Sequence, residues 1–306
     1  MTRRTSLPGQ RMVPSQLPPI LEGRRNEDAV SNSISVGRIE IVALLDTELG
    51  GPSESVFPGI AEERWRPYRA LYPQSGGEGQ FRSNAQCYLL VTPTERILID
   101  TGLGPGPHAM LGGATGGLLD ELNHAGTAPN EIDRVIFTHL HGDHVGWNIQ
   151  DGVPTFPSAR YVVPQADWEH FRSHEAGVLT DDVTAAQVEP LEAMGVLDLV
   201  DGERTLTSEL TLLPTPGHTP GHQSLIVASG GERAMILGDV VHHPAQIEEL
   251  DWSPSFDIDS QTAESTRRRV IERLEADGDL VAACHFPHPG FGHVVQLEGR
   301  RVFRTL

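Results

Sequence analysis

The sequence predicts a four-layer α/β fold, an αββα sandwich with two β-sheets packed face to face and helices outside. Three observations predict it. Short strand-like runs arrive in two batches, each batch closes with a helix and a polar loop, and turn residues break the apolar runs throughout. The 306 residues would permit two domains at about 150 residues each. The alternation nevertheless describes one catalytic body over residues 34–306, preceded by an N-terminal arm over residues 1–33. Hydrophobic residues make up 38% of the chain and charged residues 21%, enough for a large buried core.

The arm is interrupted by Pro8, Pro14, Pro18, Pro19 and a Gly23-Arg24-Arg25 turn, and it shows little apolar periodicity. Ile34 to Leu45 is β-branched and reads as one strand. The stretch from Asp46 to Gln80, broken by Pro52, Pro58, Pro67, Pro73 and Gly76-Gly77, reads as a loop. Its Trp65, Tyr68 and Tyr72 suggest a lid or a packed excursion and not a linker. Cys87–Thr92 and Arg96–Asp100 form a hairpin, and a Gly-rich loop from Gly102 to Gly117 leads into a short helix over Leu118–Ala125. Strands follow at Arg134–Thr138 and Arg160–Pro164, the latter running into a helix at Gln165–Arg172. Three more strands start at Leu210, Ser224 and Arg233. Thr262–Ala276 is an amphipathic helix with Val270, Ile271 and Leu274 inward. A strand at Leu280–Cys284 and a short hairpin close the chain.

Charge narrows the partners. The formal net charge is −19, and it stays strongly acidic with two divalent cations bound. Such a field repels phosphate backbones and anionic lipid, so neither a nucleic acid nor a membrane is expected as a partner. No apolar run approaches the roughly 18 residues that span a bilayer. The twin arginine near the N-terminus is not followed by an apolar stretch, so a cytoplasmic location is expected. Cys87 and Cys284 are too few for a disulfide framework.

The decisive segment is Thr138-His139-Leu140-His141-Gly142-Asp143-His144, four metal-type side chains within six residues at a strand end. In extended backbone, residues i and i+2 share a face, so His139 and His141 point together. Gly142 then lets the chain turn and brings Asp143 and His144 beside them. Further polar residues stand where apolar strands meet loops: His218 in Thr215-Pro-Gly-His-Thr-Pro-Gly-His222, Asp239 in Leu237-Gly-Asp, and His285 after Leu280–Cys284. A lone histidine at a strand end is usually only hydrogen-bonded, but the joint set points to a metal centre. Imidazole and carboxylate ligands suit Zn, Mn, Fe or Co. His222 reads as a partner of its own loop. Cys284, preceding His285 on a strand, reads as a core residue turned away from it. His108, His124, His170 and His174 read as surface residues.

These motifs resemble the metallo-β-lactamase superfamily of hydrolases over about residues 35–305, and Asp100-Thr-Gly matches its early aspartate. The likeness is nearer to the branch of methyl parathion hydrolases and acyl-homoserine lactonases. Ala283-Cys-His-Phe-Pro-His-Pro-Gly-Phe-Gly-His resembles the C-terminal segment of the former. The resemblance implies that His139, His141 and His218 hold one metal, that Asp143, His144 and His285 hold the other, and that Asp239 bridges them. Two divalent ions, Zn by default, are the implied cofactors. The bridging Asp239 departs from dizinc β-lactamases. With only 21 residues after His285, the helical domain of glyoxalase II is not expected either. The acidic balance departs from the nuclease members, and flavodiiron oxidases would need a flavin domain.

Such a pair would make hydroxide available at neutral pH without a Ser or Cys nucleophile. Asp143 and Asp239 are the expected catalytic carboxylates, with Asp143 able to carry a proton to the leaving group and Asp100 supporting the histidines from behind. Trp147, Phe286 and Phe291 lie near ligands in sequence, and either form an apolar wall or only pack the loops. His242 and His288 are further candidates for the pocket. The expected function is hydrolysis of a lactone or ester of small-molecule size. A phosphotriester hydrolase and a non-catalytic metal-binding protein are the alternatives. A homodimer is compatible with the arm.

Overall fold

A computed structural model describes residues 31–172 and 181–306. Most of the arm expected over residues 1–33 therefore lies outside the described residues, as does His174.

The first sheet contains β1 (Ser33–Val36), β2 (Ile39–Pro52), β3 (Gln80–Val91), β4 (Arg96–Ile99) and β5 (Arg134–Ile136). A small separate hairpin, β6 (Ile149–Gln150) and β7 (Val153–Pro154), precedes β8 (Arg160–Pro164) and β9 (Leu197–Val200). The sheet runs in the order β1-β2-β3-β4-β5-β8-β9. The second sheet takes β10 (Arg204–Thr207), β11 (Leu210–Pro214), β12 (Gln223–Ser229), β13 (Glu232–Ile236), β14 (Leu280–Ala282), β15 (Phe291–Leu297) and β16 (Arg300–Thr305) in sequence order. Pairing is parallel along β4-β5-β8-β9 and between β13 and β14, and antiparallel elsewhere, the β6–β7 hairpin included.

Alternation along the strands produces the layers. Ile97 and Ile99 of β4 face the space between the sheets, where they meet Leu212, Leu225 and Ile236, while Leu98 between them faces outward. In β8, Val162 points inward, and Tyr161 and Val163 point outward. The outward face of the first sheet is covered by α3 (Leu118–His124), α5 (Gln165–Arg172) and α7 (Glu189–Ala193), through Leu118, Trp168 and Leu191. The outward face of the second is covered by α8 (Ser260–Asp277), through Val270, Ile271 and Leu274. Short helices α1 (Ser53–Val56), α2 (Glu62–Leu71), α4 (Gly142–Val145) and α6 (Asp181–Gln187) fill the connections. Helices, sheet, sheet, helices: the architecture is the expected αββα sandwich.

Two sequence expectations give way. The strand read over Ile34–Leu45 is two strands, because Gly37 at φ +57° reverses the chain between them. The loop read over Asp46–Gln80 is largely ordered. β2 continues to Pro52, and α1 and α2 follow. Trp65 and Tyr68 of α2 pack edge-on against Trp252, so the segment is a cap on the second sheet's outer core.

Candidate metal centre

Segments after β5, β11, β13 and β14 deliver the candidate ligands to one end of the sandwich. His139 and His141 follow β5, and the turn at Gly142 opens α4, which carries Asp143 and His144. His218 sits between β11 and β12. Asp239 follows Gly238, whose φ of +56° and close fit leave no room for a side chain. A Cβ there would lie 2.7 Å from His222 Nε2 and 2.8 Å from Thr138 Cβ. His285 follows β14.

The hydrogen bonds behind the rings decide which nitrogen faces the centre. His285 Nδ1 donates to the Asn84 carbonyl at 2.6 Å. His144 Nδ1 donates to Asp100 Oδ2 at 2.9 Å, and His218 Nδ1 donates to Asp257 Oδ1 at 2.9 Å. The Thr138 hydroxyl gives its proton to Asp100 Oδ2, so it accepts from His139 Nδ1 at 3.0 Å. Every one of these rings, when neutral, therefore turns an unprotonated Nε2 inward. Those atoms converge on Asp239. Its Oδ2 lies 3.1 Å from His218 Nε2, 3.1 Å from His285 Nε2 and 3.6 Å from His139 Nε2. Its Oδ1 lies 3.3 Å from His144 Nε2, which is buried with no hydrogen-bond partner among the described residues. His141 Nδ1 closes the group, 3.1 Å from His139 Nε2 and 2.8 Å from His218 Nε2.

Two donor sets result, sharing Asp239: His139, His141 and His218 on one side, and His144, Cys284 and His285 on the other. Asp143 Oδ2 stands 3.8 Å from both His144 Nε2 and His285 Nε2, beside the second set. Lone pairs facing lone pairs and a carboxylate at 3 Å are unfavourable unless positive charge lies between them, so the donor sets fit a pair of divalent cations.

The electrostatics agree. Burial alone would push the His144 imidazole down, yet Asp239, Asp143 and Asp100 outweigh it and hold it well above the usual histidine range. His218 is likewise pushed up to about 9, burial being overcome by Asp239 and Asp257. Asp239 is held well below the ordinary carboxylate value, because the histidines around it outweigh its burial. The pocket favours positive charge at this point.

Supporting residues occupy the next layer. Asp100, in a left-handed backbone conformation at φ +60°, also accepts from the Thr138 N–H at 2.8 Å. His222 is indeed held by its own loop, with Nδ1 on the Thr215 carbonyl at 3.0 Å. Its Nε2 accepts from the Asp239 N–H at 2.8 Å, and burial lowers its pKa to about 3. His242 Nε2 lies 3.0 Å from Asp239 Oδ2. Cys284 is buried, but it does not turn from the centre: its Sγ is 3.3 Å from Asp239 Oδ1.

The centre forms the floor of a cavity of about 1020 Å³. His141, Asp143, His218, Asp239, His242 and His285 reach it, and Leu49, Phe81, Met110, Phe171, Phe256 and Ile258 supply apolar walls. His108 and His170, expected on the surface, line it as well. The aromatic wall expected from Trp147, Phe286 and Phe291 is elsewhere. Trp147 is drawn back by an Nε1–H bond to Asp46 at 2.7 Å. Phe286 packs on Phe303 in the outer core of the second sheet, and Phe291 packs on Tyr88 between the sheets. His288 is occupied with Gln86, its Nδ1 2.8 Å from Oε1, and is not among the cavity residues. Asp257, Asp167 and Phe256 carry no motif in the sequence and are found only by the fold.

Residues 81–285 match the sequence pattern of the metallo-beta-lactamase superfamily. The chain belongs to that superfamily. As a superfamily member it is 26% identical over 237 residues to an N-acyl homoserine lactonase of Bacillus cereus, covering 71% of this chain and 84% of that one. It is 31% identical over 163 residues to the uncharacterized protein YobT of Bacillus subtilis, covering 50% of this chain and 60% of YobT. Two solved structures share the fold. One is the hydrolase AbOPH of the beta lactamase superfamily, with a TM-score of 0.79 and 24% identity over 91% of this chain and 99% of that one. The other is AidC, a dizinc quorum-quenching lactonase in complex with a product, with a TM-score of 0.78 and 22% identity over 90% and 96%. Among the described residues no helix is long and apolar enough to cross a membrane.

Proposed function

We propose that the protein is a dinuclear metal-dependent hydrolase that opens a lactone ring carrying an apolar substituent. The observation that carries the reading is the convergence of His139, His141, His144, His218 and His285 on Asp239 at the floor of an apolar cavity. The relatives named as lactonases support the choice of substrate class.

In this reading His139, His141 and His218 would hold one divalent cation, Asp143, His144 and His285 would hold a second, and Asp239 would serve both. Such a pair, with Zn as the default, supplies Lewis acidity and a water acidic enough to attack near pH 7. The chain's own residues do the rest. Asp239, anchored through its backbone N–H on His222 and through its carboxylate on His242, turns Oδ1 to His144 and holds Oδ2 between His218 of one donor set and His285 of the other. The water oxygen adds to the lactone carbonyl carbon, the ring C–O bond breaks, and the ring oxygen leaves as an alcohol. Asp143 faces the cavity with its side chain 24% exposed, and is the carboxylate placed to take the proton from the water and return it to that oxygen. The apolar walls exclude bulk water and hold the substituent.

An acyl lactone, an aryl ester and a phosphotriester, each assayed with and without chelator, test the reading. Chelator-sensitive lactone opening at the highest kcat/KM supports it. Faster phosphotriester cleavage moves the assignment to that class. A fully metallated protein that turns over none of the three is a binding protein.

A further inference from the structure

Arg267, in the middle of α8, is completely buried, an unfavourable position for a guanidinium unless its donors are satisfied. It braces the back wall of the metal centre. Its Nε donates to the Val240 carbonyl at 2.9 Å, and Nη1 donates to the Leu250 and Trp252 carbonyls, each at 2.9 Å. Nη2 reaches Asp257 Oδ2 at 3.3 Å. Asp257 is equally buried, and its other oxygen is the acceptor for His218 Nδ1 at 2.9 Å. A continuous line thus runs from Arg267 through Asp257 to His218. Among the described residues, no guanidinium stands behind the other donor set, where Asp100 is held only by the Thr138 hydroxyl and N–H. His144 leans on Asp100, and His285 leans on a backbone carbonyl.

Resting on the metal pair proposed above, we propose that Arg267 is a positioning residue. Acting through Asp257, it fixes His218 and so sets the affinity of the His139–His141–His218 site in preference to the His144–His285 site. The guanidinium holds one carboxylate oxygen and keeps the other aimed at His218 Nδ1, so the ring presents Nε2 inward without searching. It also ties down the Leu250–Asp257 segment that carries the carboxylate. Partners of this kind behind a ligating histidine typically carry about 10–100-fold in metal affinity. The contact with Val240 is a competing route, because Val240 adjoins the shared Asp239 and would act on both sites alike.

The test is a chelator titration of zinc-loaded full-length protein, with retained metal read by elemental analysis. Wild type, R267M, R267K, D257N and R267M/D257N are compared, and melting of the chelated proteins reports folding. The expected result is that R267M gives up one equivalent at about 10–100-fold lower chelator and retains the second as wild type does. R267K should recover part of the loss, and the double variant should match D257N. Simultaneous release of both equivalents, additive effects of R267M and D257N, or a wild-type profile for R267M each overturn the proposal. Should R267M not fold, R267K against D257N reads the same selectivity. Wild type that retains no second equivalent would instead remove the metal pair itself, a result separate from any comparison of variants.

Discussion

His144 Nε2 and Asp239 Oδ1 face each other across 3.3 Å of buried space with no hydrogen bond between them. The opposite nitrogen of the ring is committed to Asp100, so a neutral His144 presents a lone pair to a carboxylate. His218 and His285 also turn Nε2 to Asp239, each at 3.1 Å, where either a proton or a cation can lie between them. A cation between these groups offsets their repulsion. Chelation should therefore destabilise the fold: metal present at about a thousand times its dissociation constant contributes roughly 4 kcal/mol, or roughly 10 °C in Tm for a chain near this size. Asp239→Asn should lower the retained metal below two equivalents and kcat/KM by about a hundredfold. Unchanged melting after chelation, with elemental analysis showing the metal gone, would contradict this account.

The apolar walls make a second prediction. Phe256 is 41% exposed and sits 4.9 Å from the His242 ring, over the floor of the cavity. Phe256→Ala removes contact area for a long substituent and none for a short one. It should cost about 1–3 kcal/mol of binding, read as a rise of about 5–150-fold in KM for a long-chain acyl lactone with kcat retained. A short-chain lactone should be affected little. Equal losses for both substrates would show that Phe256 acts on the centre and not on the substituent.

How far the sequence revealed this site follows from where its parts lie. His139, His141, Asp143 and His144 are adjacent along the chain, and His218, Asp239 and His285 each follow an apolar strand, so pattern and period expose them. The alternation that divides Leu98 from Ile97 and Ile99 between two cores likewise made the four layers legible. Direction was not legible. Trp147 and Phe286 are near ligands along the chain, but a bond to Asp46 and a place against Phe303 turn them away from the cavity. Asp257 and Arg267 obey no spacing rule, because their meeting depends on α8 packing against the loop after β13.

His243 gives a pH prediction away from the ligands. Its ring is boxed by Trp65, Tyr72 and Phe81, its Nδ1 accepts the Ala245 N–H at 2.9 Å, and burial pushes its pKa down to about 3. In the unfolded chain the imidazole titrates near about 6.5. The folded protein thus refuses a proton that the unfolded chain accepts. The stability this ring contributes is whole above about pH 6.5, and it is lost by about 1.4 kcal/mol per unit as the pH falls toward about 3. In urea unfolding of chelated protein, His243→Asn should be less stable at about pH 8 but flatter between about pH 6 and about pH 5, by close to one proton. Parallel profiles for the two proteins would rule out His243 as the source.

Asp167 yields the last prediction. This fully buried carboxylate of α5 has its pKa raised to about 6 by burial, and its hydrogen bonds come from neutral donors on two separate loops. Leu140 N–H reaches Oδ2 at 3.0 Å, the Thr219 hydroxyl reaches Oδ2 at 2.9 Å, and Gly221 N–H reaches Oδ1 at 2.6 Å. Leu140 lies between His139 and His141, and Thr219 follows His218, so the carboxylate fastens together the two segments of one donor set. Gln223 joins the same segments a second time. Its N–H donates to the Thr138 carbonyl at 2.9 Å, and its side-chain Nε2 donates to the Phe137 carbonyl at 2.9 Å. Loss of the Asp167 contacts should therefore loosen the join without severing it. In Asp167→Asn an amide NH₂ must replace one oxygen, and whichever side it takes, a donor then faces a donor. One buried N–H loses its partner at a cost of about 1–3 kcal/mol. The variant should melt lower and bind metal about 10–100-fold more weakly. Asp198→Asn, which breaks only the exposed pair with Arg160, should change stability by less than about 0.5 kcal/mol and metal affinity not at all. Metal affinity that survives Asp167→Asn intact, in a protein that does melt lower, would leave this carboxylate a role in the fold and none in the centre.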